Sequence, residues 1–224
     1  MTDLLGGVHA GVAPRVGMVA GETSGDLLAG AVLGGLRAAR PALQCAGIGG
    51  PAMAAAGFDR WWDVSALSVM GYAEVLRAYP RLVRMRRALG DRLIDWRPDV
   101  FVGVDAPDFN LGLETRLRAA GLRVAHFVSP SIWAWRGERI EKIRQAVDHM
   151  LLVFPFEEAL YAKAGIPATY VGHPLADAIP LQVDTEGARL RLGLEPARTT
   201  VALLPGSRAG EVAQMGGVFL RTAA

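Results

Sequence analysis

The chain has a single cysteine, Cys45, among its 224 residues. One thiol excludes an internal disulfide framework and any cysteine cage around zinc. It lies in the apolar run Leu43 to Ile48, where a lone cysteine behaves as a small buried hydrophobe. Histidine is sparse as well. His9, His126, His149 and His173 are scattered without metal-ligand spacing, so neither a metal nor another cofactor is expected. Lysine is nearly absent: Lys142 and Lys163 stand alone among 24 basic residues, and the rest are arginine, whose planar fork suits phosphate and carboxylate. Against them stand 22 acidic residues, a balance that makes no case for nucleic-acid binding. Long hydrophobic runs are also missing. The longest uncharged stretch, Pro41 to Phe58, carries two prolines and four glycines and cannot form a spanning helix. The start, Met1 to Ala13, lacks the basic-then-apolar pattern of a secretory signal. A cytoplasmic protein is expected, free or attached to a membrane surface.

What is present is a 51% hydrophobic composition, enough for a packed core. Short apolar runs alternate with segments of helical period. Strands are expected at Arg15 to Ala20, Leu43 to Ile48, Asp99 to Val104, Val124 to Val128, Met150 to Phe154 and Tyr170 to Val171. Helices are expected at Leu27 to Arg40, near Pro80 to Leu93, and at Leu111 to Ala120, Glu138 to Val147 and Glu157 to Ala164. Such alternation predicts an α/β fold, a doubly wound parallel sheet covered on both faces. Residues 1–14 read as an N-terminal extension and 15–172 as this domain. Residues 173–184, with Pro174 and Pro180, read as a linker. Residues 185–224 read as the start of a second α/β domain, with a helix at Thr185 to Leu192 and a strand at Thr199 to Leu204. So short a remainder predicts a chain truncated within that domain.

Ligands of open α/β sheets sit at the carboxyl ends of the strands, so the loops that follow strands hold the candidate chemistry. In Ala20-Gly21-Glu22-Thr23-Ser24-Gly25-Asp26, glycines permit a tight turn and hydroxyls and carboxylates face a polar ligand; equally, Ser24 or Asp26 caps the next helix. Gly47-Ile48-Gly49-Gly50-Pro51-Ala52 resembles a dinucleotide fingerprint. It follows the second strand rather than the first, however, and has no ribose-binding acid downstream, so it reads as a turn lining the same crevice. Asp105 follows the clearest strand directly, as a general base would, or as an Asx turn beside Pro107; Asp108 and Asn110 are placed to cap the next helix. Ser129-Pro130-Ser131-Ile132-Trp133-Ala134-Trp135-Arg136 joins hydroxyls, indoles and a guanidinium, suited to an acylated phosphosugar or to covering the sheet edge. Leu203-Leu204-Pro205-Gly206-Ser207-Arg208 makes a small anion-binding turn, too short for a Walker loop. Between Trp61 and Arg97, aromatic and aliphatic residues interleave with arginine, and from Arg77 onward seven arginines face two aspartates. That pattern fits an interfacial membrane helix or, more commonly, a core-packed helix with a solvated arginine face.

In order and separation Val19 to Asp26, Val69-Met70-Gly71, Pro98 to Asn110, Val128 to Arg136, Phe154-Pro155-Phe156-Glu157, Gly172-His173 and Leu203 to Arg208 resemble the lipid-A-disaccharide synthase family, from about Arg15 to the last residue. The resemblance implies a GT-B glycosyltransferase of lipid A biosynthesis in Gram-negative bacteria, whose N-terminal domain is Rossmann-like. It transfers 2,3-diacylglucosamine from UDP to 2,3-diacylglucosamine 1-phosphate, peripheral to the cytoplasmic face of the inner membrane. It implies Asp105 as the catalytic base. Acceptor binding falls to Glu22, Ser24, Gly25, Asp26, Gly49, Gly50, Met70, Gly71, Asn110, Ser129, Ser131, Trp133, Trp135 and Arg136, and binding of the donor diphosphate to Gly206, Ser207 and Arg208. Trp61, Trp62, Tyr72, Leu76, Tyr79, Arg81 and Arg84 are implied to face the membrane. A chain lacking most of the second domain is expected to show little or no transfer alone. Two other readings stay open: a nucleotide-binding oxidoreductase domain and a non-catalytic lipid-binding module.

Overall fold

The computed structural model describes residues 13–67, 72–135, 137–206 and 209–223. They divide into two compact units on either side of Ala176. The first is built on seven strands: β1 (Arg15–Ala20), β2 (Gln44–Gly49), β3 (Asp59–Asp63), β4 (Val100–Val104), β5 (Val124–Phe127), β6 (His149–Leu152) and β7 (Ala168–Tyr170). All neighbours are parallel, in the order β3-β2-β1-β4-β5-β6-β7. Parallel neighbours require crossovers, which the helices α1 (Thr23–Ala39), α2 (Pro51–Ala55), α3 (Tyr72–Trp96), α4 (Pro107–Ala119), α5 (Arg139–Ala146) and α6 (Glu157–Lys163) provide. The result is a Rossmann-like α/β sheet.

Burial on both faces explains the unbroken apolar strands. Alternate residues feed two cores: Val19 and Phe101 pack with Leu89, Leu93, Leu111, Leu117 and Ile143, whereas Met18 and Val102 pack with Ala29, Leu33 and Met53. Each fully buried leucine contributes about 2 kcal/mol. The sheet winds from β1 one way to β2 and β3, and the other way from β4 onward. The direction reverses between β1 and β4, and at such a switch point a crevice opens beyond the strand ends.

Several elements differ from the sequence pattern. The helix expected near Pro80 starts at Tyr72 and carries Pro80 inside it, held to the sheet by Leu89 and Leu93. Both α2 and β3 were missed. Asp-Arg-Trp-Trp-Asp lacks an apolar run because β3 is an edge strand with only one neighbour. The stretch 173–184 holds a short helix, α7 (Pro174–Ala178), in place of bare linker. Beyond Ala176 come α8 (Thr185–Arg191), capped by Asp184 accepting from the Gly187 N–H at 2.8 Å, and α9 (Ala209–Ala223). The strand expected at Thr199 to Leu204 is not formed. An isolated β segment gains no ladder bonds, and the described residues of this unit include no strand to pair with it.

Candidate active site

Strand β4 ends at Val104, and the next two residues turn sharply into α4. Asp105 (φ 54°) and Ala106 (φ 45°) both occupy the left-handed region, which costs roughly 1 kcal/mol or more per residue. Pro107 at the first helical position disfavours the right-handed region for the residue before it. Two hydrogen bonds hold the turn: the Asp105 N–H donates to the Phe127 carbonyl at 2.9 Å, and the Asn110 side-chain amide donates to the Asp105 carbonyl at 2.8 Å. On the other side stands Gly21, where a Cβ would overlap that of Ala106. The loops after β1 and β4 therefore meet at the switch point. Just past β5, Val128 also has a positive φ, 76°, an outlier for a β-branched residue. Of four described non-glycine residues with positive φ, three end β4 or β5. Strained turns of this kind cluster at functional sites.

Beside these turns lies a cleft of ≈ 330 Å³, lined by Asp105, Pro107, Asp108, Val128, Ser129, Pro130, Ser131, Ile132, Trp135, Arg139 and Phe154. Asp105 is half-buried at its wall. The Ser129 hydroxyl donates to the Pro130 carbonyl at 3.0 Å and lies 2.7 Å from the Tyr161 hydroxyl. Burial pushes the Tyr161 phenol up to about 12, so it stays protonated and donates to Ser129. Burial also raises Glu157 beside them, while the Phe154 N–H donating to it pulls the other way. Arg139, at the start of α5, pairs with Asp108 at 2.6 Å and lies 6.0 Å from the Trp135 ring. Phe156 stacks on Phe154 at 5.5 Å and meets Trp133 edge-on at 5.4 Å. Trp133, Trp135, Phe154 and Phe156 are all exposed. The arrangement joins a carboxylate, a guanidinium and an apolar aromatic ledge, groups that can accept a proton, pair with an anion and cover an apolar surface.

Four expected site residues thus converge: Asp105, Ser129, Ser131 and Trp135 line one cleft, with Trp133 on the aromatic ledge. Glu22 and Ser24 are exposed at the start of α1, on the same edge of the sheet, while Gly25 is buried against Val104. Asp26 must be corrected. It is 1% exposed, and its carboxylate accepts from the N–H groups of Gly50 (2.7 Å), Ala52 (2.8 Å) and Met53 (3.1 Å), so it caps α2 rather than facing a ligand or capping its own helix. Gly49 and Gly50 are buried too, and a Cβ on Gly50 would strike the Asp26 carboxylate. At this turn the N–H groups that a pyrophosphate would need are already satisfied, so the Gly47 to Ala52 pattern gives no support to the oxidoreductase reading. Asn110 does not cap α4: it is fully buried within the helix, behind the Asp105 turn. Met70, Gly71, Arg136, Ser207 and Arg208 lie outside the described residues. Gly206 (φ 136°) belongs to the second unit.

The membrane-facing expectation divides. Trp61 and Trp62 are half-buried on β3 against the core, with the Arg92 guanidinium 4.0 Å from the Trp61 ring and the Trp96 ring edge-on at 5.4 Å, so they are packed rather than free anchors. Tyr79, 61% exposed, and exposed Arg81 and Arg84 lie on α3. Tyr72 and Leu76 fall in the same helix, their side chains outside the described ones. No described helix is long and apolar enough to cross a membrane. The sequence reading missed Arg139 and gave Phe154 and Phe156, quoted there only for the family resemblance, no place in the site. That pair had a signal, two aromatics flanking Pro155 at the end of a buried strand.

A family model described as lipid-A-disaccharide synthetase (LpxB) matches residues 16–224. A lipid-A-disaccharide synthase of Bordetella pertussis is 57% identical over 210 residues, 94% of this chain and 53% of that protein. Those of Bordetella petrii and Dechloromonas aromatica are 59% and 55% identical, over 93% and 95% of this chain and 53% and 56% of theirs. The chain thus spans about half the length of the curated relatives it matches. A solved chain described as LpCGTa in complex with UDP covers 85% of this chain and 61% of its own at 18% identity and a TM-score of 0.44, too distant to bear on function. With a family model matched across almost all of its length and such identities over more than nine-tenths of it, this chain belongs to the lipid-A-disaccharide synthetase family.

Proposed function

We propose that this chain forms the acceptor-side half of an inverting GT-B glycosyltransferase that builds the β-1′,6 lipid A disaccharide. The observation that carries this reading is the position of Asp105: half-buried in a cleft at the switch point, on a strained turn, beside Ser129, Trp135 and Arg139. Its carboxylate takes the proton from the 6-hydroxyl of 2,3-diacylglucosamine 1-phosphate as that oxygen attacks the anomeric carbon of UDP-2,3-diacylglucosamine. The carbon–oxygen bond to the diphosphate breaks, its electron pair leaves with UDP, and the anomeric centre inverts. Arg139 binds the acceptor phosphate, exchanging it for exposed Asp108. The ledge of Trp133, Phe154 and Phe156 receives sugar faces or acyl chains. Gly206, Ser207 and Arg208 bind the donor diphosphate.

Exposed Tyr79, Arg81, Arg84 and Arg87 on α3 support attachment to the anionic cytoplasmic leaflet of the inner membrane, each arginine contributing about 1 kcal/mol. Charge reversal of Arg81 and Arg84 then lowers co-sedimentation with anionic vesicles. The decisive experiment joins this chain to the second half of the Bordetella pertussis relative and follows sugar transfer from labelled UDP donor. Asp105→Asn is expected to slow transfer by about 10²- to 10⁴-fold without unfolding the chain. Wild-type turnover in that variant sinks the assignment, and ordinary turnover by the unsupplemented chain sinks the need for the other half.

A further inference from the structure

The cleft wall beside Asp105 holds one hydroxyl with a second, buried hydroxyl behind it. Ser129, half-buried just past β5, lines the cleft, and its Oγ lies 2.7 Å from the phenol oxygen of Tyr161 on α6. Tyr161 is fully buried, and Ser129 is the hydrogen-bond partner of its phenol among the described residues. The Ser129 hydroxyl donates in turn to the Pro130 carbonyl at 3.0 Å, and the buried Glu157 carboxyl is a further polar group on the protein side. Asp105 stands close by. Its N–H donates to the Phe127 carbonyl at 2.9 Å, so the chain leading into Ser129 leaves the sheet next to β4, at a strand spacing of about 4.8 Å.

These contacts fix the polarity of the Ser129 hydroxyl. A hydroxyl has one proton to give and two lone pairs. A buried O–H without an acceptor is costly, so the Tyr161 proton goes to Ser129 and occupies one lone pair. The Ser129 proton goes to the Pro130 carbonyl. What remains for the cleft is one lone pair and no proton. Such a group accepts from a ligand hydroxyl and repels a ligand acceptor. A serine with no phenol behind it turns either way.

We infer that Ser129 is a specificity-determining residue that accepts a hydrogen bond from the 4-hydroxyl of the acceptor sugar, and that Tyr161 is the positioning residue that holds it as an acceptor. That assignment rests on the reading of the cleft as the acceptor site, with Asp105 at the 6-hydroxyl. A glucosamine acylated on N2 and O3 and phosphorylated on O1 keeps two free hydroxyls on the sugar itself, at C4 and C6. They are neighbours, close enough for one to reach Asp105 while the other hydrogen-bonds at the adjacent strand end. A hydrogen or a fluorine at C4 has no proton to give, so the site discriminates against both.

The test is calorimetric titration of the 224-residue chain with 2,3-diacylglucosamine 1-phosphate carrying short, soluble acyl chains, and with its 4-deoxy and 4-fluoro analogues. The wild-type chain is expected to bind the parent lipid about 3- to 10-fold more tightly than the 4-deoxy analogue, the worth of one neutral hydrogen bond, and the 4-fluoro analogue no better than the 4-deoxy. In Ser129→Ala the advantage of the parent disappears. In Tyr161→Phe, which keeps the ring in the core, Ser129 is free to turn its proton to the ligand; the parent's advantage shrinks and the 4-fluoro analogue gains on the 4-deoxy. A pair that serves only stability would lower the urea midpoint of both variants and leave every ratio unchanged. Equal binding of the parent and 4-deoxy lipids by the wild-type chain overturns the inference even if a variant fails to fold. Wild-type ratios in folded Ser129→Ala or folded Tyr161→Phe overturn it too. Failure of the acceptor-site reading looks different: none of the three lipids binds, and the inference falls with it.

Discussion

Ala106 fills the space that a side chain at Gly21 would occupy, so the loops after β1 and β4 fit together only because position 21 has no Cβ. The strained turn that presents Asp105 is thus built partly from the far side of the crevice. Gly21→Ala is expected to destabilise the chain by about 1–3 kcal/mol, read by urea unfolding, and to displace Asp105. Gly34, in α1 with open space around its Cβ position, is the control: Gly34→Ala should stabilise by up to about 1 kcal/mol.

Asp26 satisfies three N–H groups at the start of α2. Its removal leaves buried donors without partners, at about 1–3 kcal/mol for each such group. Asp26→Ala should therefore be among the most destabilising single changes, measured as a drop in the urea midpoint. A variant of undiminished stability would show that the carboxylate serves a ligand instead.

Burial pushes the Cys45 thiol up to about 11, with the charge of Arg37 opposing more weakly. A protonated thiol is a poor nucleophile, so a disulfide reagent at pH 8 should label it only after unfolding. The linkage follows the same sign. Because the folded value lies above the ordinary 9.0, this group's contribution to stability is complete below 9.0 and is lost as pH climbs through about 11.

Arg139 reaches the cleft with only 16% of its side chain exposed, paired to Asp108. Arg139→Ala should weaken binding of a phosphorylated acyl-sugar about 10-fold or more, the value of a charge-assisted hydrogen bond, and leave its dephosphorylated analogue unaffected. Calorimetric titration with both lipids checks it; equal losses for the two would remove the phosphate role.

The sheet was legible because parallel strands buried on both faces write themselves as apolar runs. Val100–Val104 ending in Asp105 is the plainest case, and it placed the candidate base at once. Edge strand β3 was not legible, since a strand with one neighbour needs no such run. Residues 199–204 misled for the opposite reason: Val201 to Leu204 has the run but no partner strand among the described residues. Asp26 reads locally as a cap for its own helix, and only the folded chain brings it to α2, 24 residues on. The contact of buried Glu114 on α4 with His126 on β5 depends on the Gly103–His126 register, which no local pattern encodes. Arg139 was hidden by Arg136, three residues earlier in the chain and next in sequence to Trp135.

The central strand also sets a timetable for synthesis. Strand β1 can pair with β2 soon after both have left the ribosome, yet its other flank waits for Val100–Val104, some eighty residues later. Until then a nascent chain carries Met18 and Val19 with one side open, a surface for chaperones or for misassembly. Arrested intermediates that end before β4 should therefore be captured by a holdase, and those that end beyond it released.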